Sequence, residues 1–321
     1  MKIVQVAPDY LTTPPQKYGG IERVVYDLSE ELMERGHDVI LYALKGSHSS
    51  AKILPYNHIG NPRKIVEFVK NTLPGDIDLI HDHTHDSVIS KLNLPIPTVS
   101  TIHVWWYTEV VKYPIFVSNT MLDLLGKGKG TYIHNGINPT DFEFCDHKQD
   151  FLLFLGRVCK DKGVHHALKI AELSKQKLII AGPIDDSEYF IKNVEPYIKN
   201  NRNISYVGEV GGRDRIDLLK NARCLIFPTL YEAFGLVMIE AMVCGTPVIA
   251  LDNGAVKEVL AGFPDLVCKT IEEMVEKVKY ENLPTPKQMR DYAISNFSRK
   301  LMADRYIEIY EKIITENRTN F

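Results

Sequence analysis

Apolar and polar positions along this chain change between two periods. KIVQVAP is a short continuous apolar run stopped by proline, the pattern of a strand buried on both faces. In GGIERVVYDLSEELMERGHD the apolar residues Ile21, Val24, Val25, Leu28 and Leu32 recur at the i, i+3, i+4, i+7 spacing of one helical face. DVILYAL then returns to strand. Strand, crossover helix and parallel strand form a right-handed βαβ unit, and IDLIHDH and PTVSTIHV add two further buried strands.

A second series begins after IHNGINPTDFEFCDHKQD, a polar stretch rich in turn formers. FLLFLGRV reads as a strand and GVHHALKIAELSK as a helix with Val164, Ala167, Leu168 and Leu173 on one side. KLIIAGP, ISYVGEV, CLIFPT and TPVIAL continue as strands, each followed by glycine, proline or a helix. The expected class is therefore α/β, with two doubly wound Rossmann-like domains in tandem at 1–145 and 146–300. A last helix at 301–321 carries Leu301, Met302, Arg305, Tyr306, Ile309 and Ile313. Its stripe has to cover something: the first domain, or alternatively a membrane surface, against which the mixture of acids and bases on its polar face argues.

The length of 321 residues fits two domains of roughly 150 each. With 45% hydrophobic and 25% charged residues the chain is ordinary for a packed protein, and a net charge of −3 gives no electrostatic reason to expect nucleic acid. The five cysteines are scattered, with no C-x-x-C pair, and read as reduced, buried thiols. The apolar run after Met1-Lys2 is too short for a signal-peptide core and no segment is long enough to span a bilayer, so the expected location is cytoplasmic, with peripheral contact at the inner membrane face left open.

In open α/β sheets ligands collect at the carboxyl ends of the strands, so motifs just after strands carry most weight. Gly19 and Gly20, between the first strand and first helix, allow backbone N–H groups to approach an anionic oxygen; a flexible turn is the alternative. They lack the G-x-G-x-x-G spacing of a dinucleotide site. GRVCKDKG places Arg157 and Lys162 ahead of a helix, as two cations for a diphosphate or as solvated surface groups. In YEAFGLVMIEAMVCGTPVIALDNGAVKEV, Glu232 and Glu240 flank a Phe-Gly pair. If a helix starts near Gly235, the N–H groups of Gly235 and Leu236 point out of its end and favour negative charge. Two carboxylates beside an anion site serve poorly as anion ligands. They serve well as acceptors for hydroxyl groups on either side of a diphosphate. HDHTHD alternates His81, His83 and His85, with Asp82 and Asp86 nearby, so a metal site is an alternative there.

Taken together, these segments resemble glycosyltransferase family 4. EAFGLVMIEAMVCGTPVIA is similar to the E-x7-E signature of retaining nucleotide-sugar glycosyltransferases, and GRVCKDKG, YGGIERVV, IHNGIN and FSRKLMADRYIEIYEKI match other family segments in the right order over nearly the whole chain. The resemblance implies the GT-B architecture, two facing Rossmann-like domains with a cleft and a C-terminal helix crossing back. It implies a hexosyl transfer from a nucleoside diphosphate sugar, UDP-linked in preference to GDP-mannose, to an acceptor hydroxyl, by front-face attack in which the leaving phosphate oxygen takes the proton. By the same resemblance Arg157, Lys162, Gly19, Gly20, Gly235 and Leu236 meet the donor diphosphate. His103, Glu232, Phe234 and Gly235 meet the donor sugar, and Glu240 the ribose. Gly182, Val207 and Gly208 are candidates for the nucleotide pocket, and His81, His83 and Trp105 for the acceptor side. No cofactor and no divalent metal is implied, since Arg, Lys and helix dipoles stabilise the leaving group.

The sequence departs from the family mainly in YPIFVSNTMLDLLGKGKG, which stands in for a longer acceptor-side segment but keeps Ser118, and at Gly254-Ala255, where a glycine pair is expected and the extra methyl narrows the sugar pocket. Acceptor, linkage and oligomeric state stay open. The competing readings are a nucleotide-sugar epimerase or phosphorylase of the same architecture, and a two-lobed binding protein.

Overall fold

A computed structural model describes residues 1–107, 109–280 and 282–319. The chain divides into two compact units. One takes Met1–Asn138 and the chain from Phe297 onward, the other Pro139–Asn296. The divisions expected from sequence lay at 145/146 and 300/301. The observed ones follow from backbone pairing: the Ile137 N–H donates to the Phe297 carbonyl at 3.0 Å, and the Arg299 N–H to the Ile137 carbonyl at 2.8 Å. Both crossings therefore belong to the first unit.

In that unit the strands are β1 (Lys2–Val6), β2 (Asp38–Leu44), β3 (Lys52–Tyr56), β4 (Leu79–Asp82), β5 (Thr98–Ile102), β6 (Tyr113–Phe116) and β7 (Thr131–Tyr132). They form one parallel sheet in the order β3-β2-β1-β4-β5-β6-β7. Its helices are α1 (Gly20–Glu34), α2 (Pro62–Thr72) and α3 (Asn119–Leu125). Ser118 caps α3, its hydroxyl accepting from the Met121 N–H at 3.1 Å, and Asn61 with Pro62 opens α2 in the same way. Strands β1 and β4 are buried on both faces, as parallel packing between helix layers requires, even where β4 carries His81 and Asp82.

The second unit contains β8 (Leu152–Leu155), α4 (Val164–Ser174), β9 (Leu178–Ala181), α5 (Ser187–Asn193), α6 (Glu195–Asn200), β10 (Ile204–Tyr206), α7 (Gly212–Asn221), β11 (Cys224–Phe227), α8 (Leu236–Val243), β12 (Val248–Leu251), α9 (Val256–Val259), β13 (Val267–Cys268), α10 (Ile271–Lys279) and α11 (Pro286–Phe297). Its parallel sheet runs β10-β9-β8-β11-β12-β13. On α4, Val164, Ala167 and Leu168 face the core as expected. Leu173 does not: it is 49% exposed, and Ile170 and Ala171 take the buried stripe instead.

The strand order of each sheet reverses once, between β1 and β4 in the first and between β8 and β11 in the second. At such a point the loops leaving two adjacent strands diverge and open a crevice at their carboxyl ends. The segments singled out in the sequence, after β1, β4, β8 and β11, are the loops at these two reversals.

The last helix, α12 (Arg299–Thr319), belongs to the first unit and packs along α1. Arg299 Nε lies 3.1 Å from a Glu31 carboxylate oxygen, and Arg35 pairs with Asp304. Its buried face is Met302, Ala303, Tyr306, Tyr310, Ile313 and Ile314. The expected stripe was rotated: Leu301 and Arg305 are exposed and Ile309 is half-buried, because the face is built around two tyrosines whose hydroxyls find buried partners. The expected helix ran to 321; its last two residues lie outside the described ones. No helix among the described residues is long and apolar enough to cross a membrane.

All five cysteines are free, and four are buried. Burial pushes the Cys224 and Cys244 thiols up to about 12 and Cys268 to about 11. A native-state titration with a thiol-specific disulfide reagent should therefore modify Cys145 alone at pH 8, with the other four reacting only after denaturation; rapid modification of two or more thiols in the folded protein would contradict this packing.

Candidate functional site

In the second unit the candidate residues gather at the carboxyl ends of β8, β9, β10 and β11. Lys162 and Glu232 are direct partners, Nζ donating to the carboxylate at 2.7 Å, with side chains 20% and 12% exposed. The loops carrying them are bound together by backbone, the Leu230 N–H donating to the Asp161 carbonyl at 2.8 Å, and the Asn253 side-chain amide, from the loop after β12, donates to the Thr229 carbonyl at 3.0 Å. Gly254, at φ +58°, closes against this loop so tightly that a Cβ would stand 2.0 Å from the Glu232 carbonyl oxygen. Ala255, whose methyl was expected to narrow a sugar pocket, is fully buried, and its N–H donates to that same carbonyl at 3.2 Å.

Helix α8 starts one turn after Glu232, with Gly235 at its N-cap and Phe234 buried behind it. The Phe234 N–H lies 3.4 Å from the second Glu232 carboxylate oxygen. The first N–H groups of α8, beginning with Leu236, have no carbonyl one turn back within the helix, so this end attracts negative charge. Glu240 lies on the opposite, inward side of α8, 1% exposed, and its carboxylate is met by Arg215 from α7. Arg157, after β8, pairs with Asp185 at the edge of an open depression of about 490 Å³ lined also by Lys160, Asp161, Asp186 and Ser187. Gly182, Val207 and Gly208 come together next to it. The Gly182 N–H donates to the Gly208 carbonyl at 2.8 Å, the Val207 N–H to Ile180 at 3.0 Å, and a Cβ on Gly182, at φ +141°, would overlap the Gly156 carbonyl oxygen at 1.8 Å.

In the first unit Gly19 is the N-cap of α1 and Gly20 its first residue. His103 follows β5, half-buried, and burial pulls its pKa down to about 3. His81 and His83, expected on the acceptor side, are both fully buried, and each ring nitrogen has a partner. His81 Nδ1 is 2.5 Å from the Tyr310 hydroxyl and Nε2 2.7 Å from Thr101; His83 Nε2 is 2.7 Å from the Gln5 amide oxygen and Nδ1 3.0 Å from His103 Nε2. Neither offers a polar atom to an acceptor, because His81 turns inward against the tyrosines of α12 and His83, just past the strand end, lies between Gln5 and His103. Burial holds both well below the ordinary histidine pKa. His85, which alternation put on the same face, lies past the strand end, edge-on to Tyr10 at 5.3 Å. Asp82 accepts instead from the N–H groups of Thr84, Ile89 and Ser90 at 2.8–2.9 Å. Among the described residues no group of three His, Cys, Asp or Glu side chains is arranged to hold a metal ion. Trp105, the third acceptor-side candidate, is half-buried and meets the exposed Trp106 edge-on.

Sequence reading missed Arg215, Asp185 and Gln5. Only Arg215 had a legible reason to be sought, since a glutamate in an otherwise apolar helix needs a buried cation from somewhere. Replacing Arg215 by alanine removes the guanidinium that meets the buried Glu240 carboxylate. Urea denaturation of Arg215→Ala should show a loss of roughly 3–5 kcal/mol, and adding Glu240→Gln to it should recover part of that loss; an unchanged midpoint in the single variant would show that other groups carry the charge.

Residues 141–294 match the family described as Glycosyl transferases group 1, and residues 18–141 match Glycosyltransferase Family 4. The chain is 31% identical over 147 residues to an uncharacterized glycosyltransferase of Methanocaldococcus jannaschii, a match spanning 40% of this chain and only 37% of that protein. It is 24% identical over 335 residues to the glycogen synthase of Mycobacterium tuberculosis, covering 80% of each. Among solved structures it is similar to AviGT4, a glycosyltransferase involved in avilamycin A biosynthesis, with a TM-score of 0.83, 28% identity and 98% of both chains covered.

Proposed function

Since the chain belongs to the family 4 glycosyltransferases and is a transferase of GT-B type, we propose that it moves a hexosyl group from a nucleoside diphosphate sugar to an acceptor hydroxyl, with retention of anomeric configuration and without a divalent metal. UDP-sugars come first in the order of testing and GDP-mannose second. The acceptor is drawn from glycans, lipids, proteins or small metabolites.

One observation carries this reading: Lys162 and Glu232 meet at 2.7 Å directly before the N-terminus of α8, at the point where the strand order of the second sheet reverses. A cation, a helix end and a carboxylate within one turn suit a ligand that is anionic at one end and rich in hydroxyls at the other. In the proposed step the bond between the anomeric carbon and the β-phosphate oxygen breaks, and its electron pair goes to that oxygen. The acceptor oxygen bonds to the anomeric carbon on the same face and passes its proton to the departing phosphate oxygen. Lys162 and Arg157, with the N–H groups of Gly235 and Leu236, offset the charge that grows on the diphosphate as the bond lengthens. Glu232 accepts hydroxyls of the sugar beside Phe234, and Glu240 those of the ribose. Gly182, Val207 and Gly208 take the base side. From the first unit the proposal gives Gly19 and Gly20 to the diphosphate, His103 to the sugar and Trp105 to the acceptor.

Glu240 is the assignment under most tension, because its carboxylate is inward and already held by Arg215. A ribose hydroxyl would have to share it with that guanidinium.

The test is donor hydrolysis without acceptor, with purified protein in EDTA against a panel of UDP-, GDP- and ADP-sugars, following free nucleotide and the anomer of the released sugar by NMR. The expected result is slow release from one donor class as the matching anomer, reduced about tenfold or more in Lys162→Ala. Loss of all turnover in EDTA that magnesium or zinc restores would remove the metal-free mechanism. Release of an epimer would replace transfer by epimerisation.

A further inference from the structure

In the first unit an unbroken line of polar contacts runs from the C-terminal helix to His103, and each contact constrains the proton on the next. The Gln5 amide nitrogen donates to the Tyr310 hydroxyl at 3.5 Å, and the same hydroxyl lies 2.5 Å from His81 Nδ1. His81 Nε2 faces the Thr101 hydroxyl at 2.7 Å. With its nitrogen so used, Gln5 turns its oxygen to His83 Nε2 at 2.7 Å, and an amide oxygen can only accept. His83 is therefore protonated on Nε2. Its Nδ1 keeps a lone pair as long as the ring is neutral, which burial and the neighbouring His81 ring, tilted against it at 3.8 Å between centroids, both enforce. That lone pair lies 3.0 Å from His103 Nε2, so His103 must donate there. The remaining ring nitrogen of His103, Nδ1, is left as a hydrogen-bond acceptor.

We propose that Gln5 and His83, anchored by Tyr310, are positioning residues that lock His103 in its Nε2–H tautomer, so that it meets the transferred sugar only as an acceptor from a hydroxyl group. This rests on the reading of His103 as a donor-sugar residue. It explains why two histidines whose ring nitrogens are all occupied stand directly behind a third. It also defines a specificity element: the sugar has to present an O–H, and a donor deoxygenated or fluorinated at that carbon loses the interaction, since fluorine has no proton to give.

The test begins with long-range 1H–15N spectra of protein labelled with 15N-histidine, which separate the two neutral tautomers and the imidazolium. The expected result is Nε2–H at both His83 and His103, without titration between about pH 5 and 8. In Gln5→Leu, which removes the oxygen that fixes His83, His103 should show a mixture of tautomers. Turnover should fall about three- to tenfold with the donor KM unchanged. Tyr310→Phe is the second variant: it keeps the ring packing, releases the Gln5 amide to turn, and should produce the same mixture with a smaller fall. Made in a His103→Ala background, Gln5→Leu should have no further effect on turnover, because its action passes through the ring that is gone.

An Nδ1–H signature at wild-type His103 overturns the proposal, as does an equal effect of Gln5→Leu with and without His103. Full turnover in His103→Ala, where the unaltered protein shows the expected tautomers, overturns the link to the sugar. It leaves the transferase reading standing, because that depends on the donor panel.

Discussion

A carboxylate drawn out of water must be met by a cation or by several hydrogen-bond donors, and much of the second unit is arranged around that requirement. Glu232 and Glu240 stand on either side of the start of α8, and each is met by one cation from a different element, Lys162 from the loop after β8 and Arg215 from α7. The first pair fixes the loop after β11 against the loop after β8, the second ties α8 to α7, and Gly254 presses a third loop onto the Glu232 carbonyl. Such pairing is weak evidence for stability, since each partner also loses hydration. Its consequence is positional: the Lys162 cation is held beside a helix end that already favours anions.

In the first unit one buried cluster is instead built of neutral groups. Gln5, His81, His83, Thr101, Tyr306 and Tyr310 fill the inner face between β1, β4, β5 and α12 without a formal charge, and every imidazole nitrogen among the buried pair is spoken for. Hydroxyls and neutral imidazoles can each donate or accept, so along this chain the direction is set where the Gln5 amide oxygen, which only accepts, faces His83. The protonation state at its exposed end is therefore inherited from residues that touch no ligand.

Most of the architecture was legible from periodicity, because doubly buried strands and amphipathic helices leave strong signals in KIVQV, DVILYAL or LIHD. The rotation of α12 was not, since Tyr310 counts as polar at its tip and apolar in its ring, and an apolar-stripe search passes over it. Alternation correctly placed His81 and His83 on one face. It carried no information on whether that face meets a ligand or a helix from the other end of the chain. Arg157, Lys162 and Glu232 were singled out because their motifs follow strands, and the structure places those strands at the reversal of sheet order. Asp185, Arg215 and Gln5 went unseen because a partner that completes a buried pair is fixed by tertiary contact, with no local spacing to mark it.

The central claim is that Glu232 holds Lys162 ready for an anionic ligand rather than merely closing an ion pair. Calorimetric titration of the nucleoside diphosphate into Glu232→Gln tests it most directly, since this change keeps the shape of the side chain and removes its charge. The account predicts that the diphosphate binds more tightly than to the unaltered protein, because Lys162 no longer divides its charge, while sugar release from the donor falls. A diphosphate affinity that drops in step with turnover would contradict it and reduce the Lys162–Glu232 pair to a structural clasp.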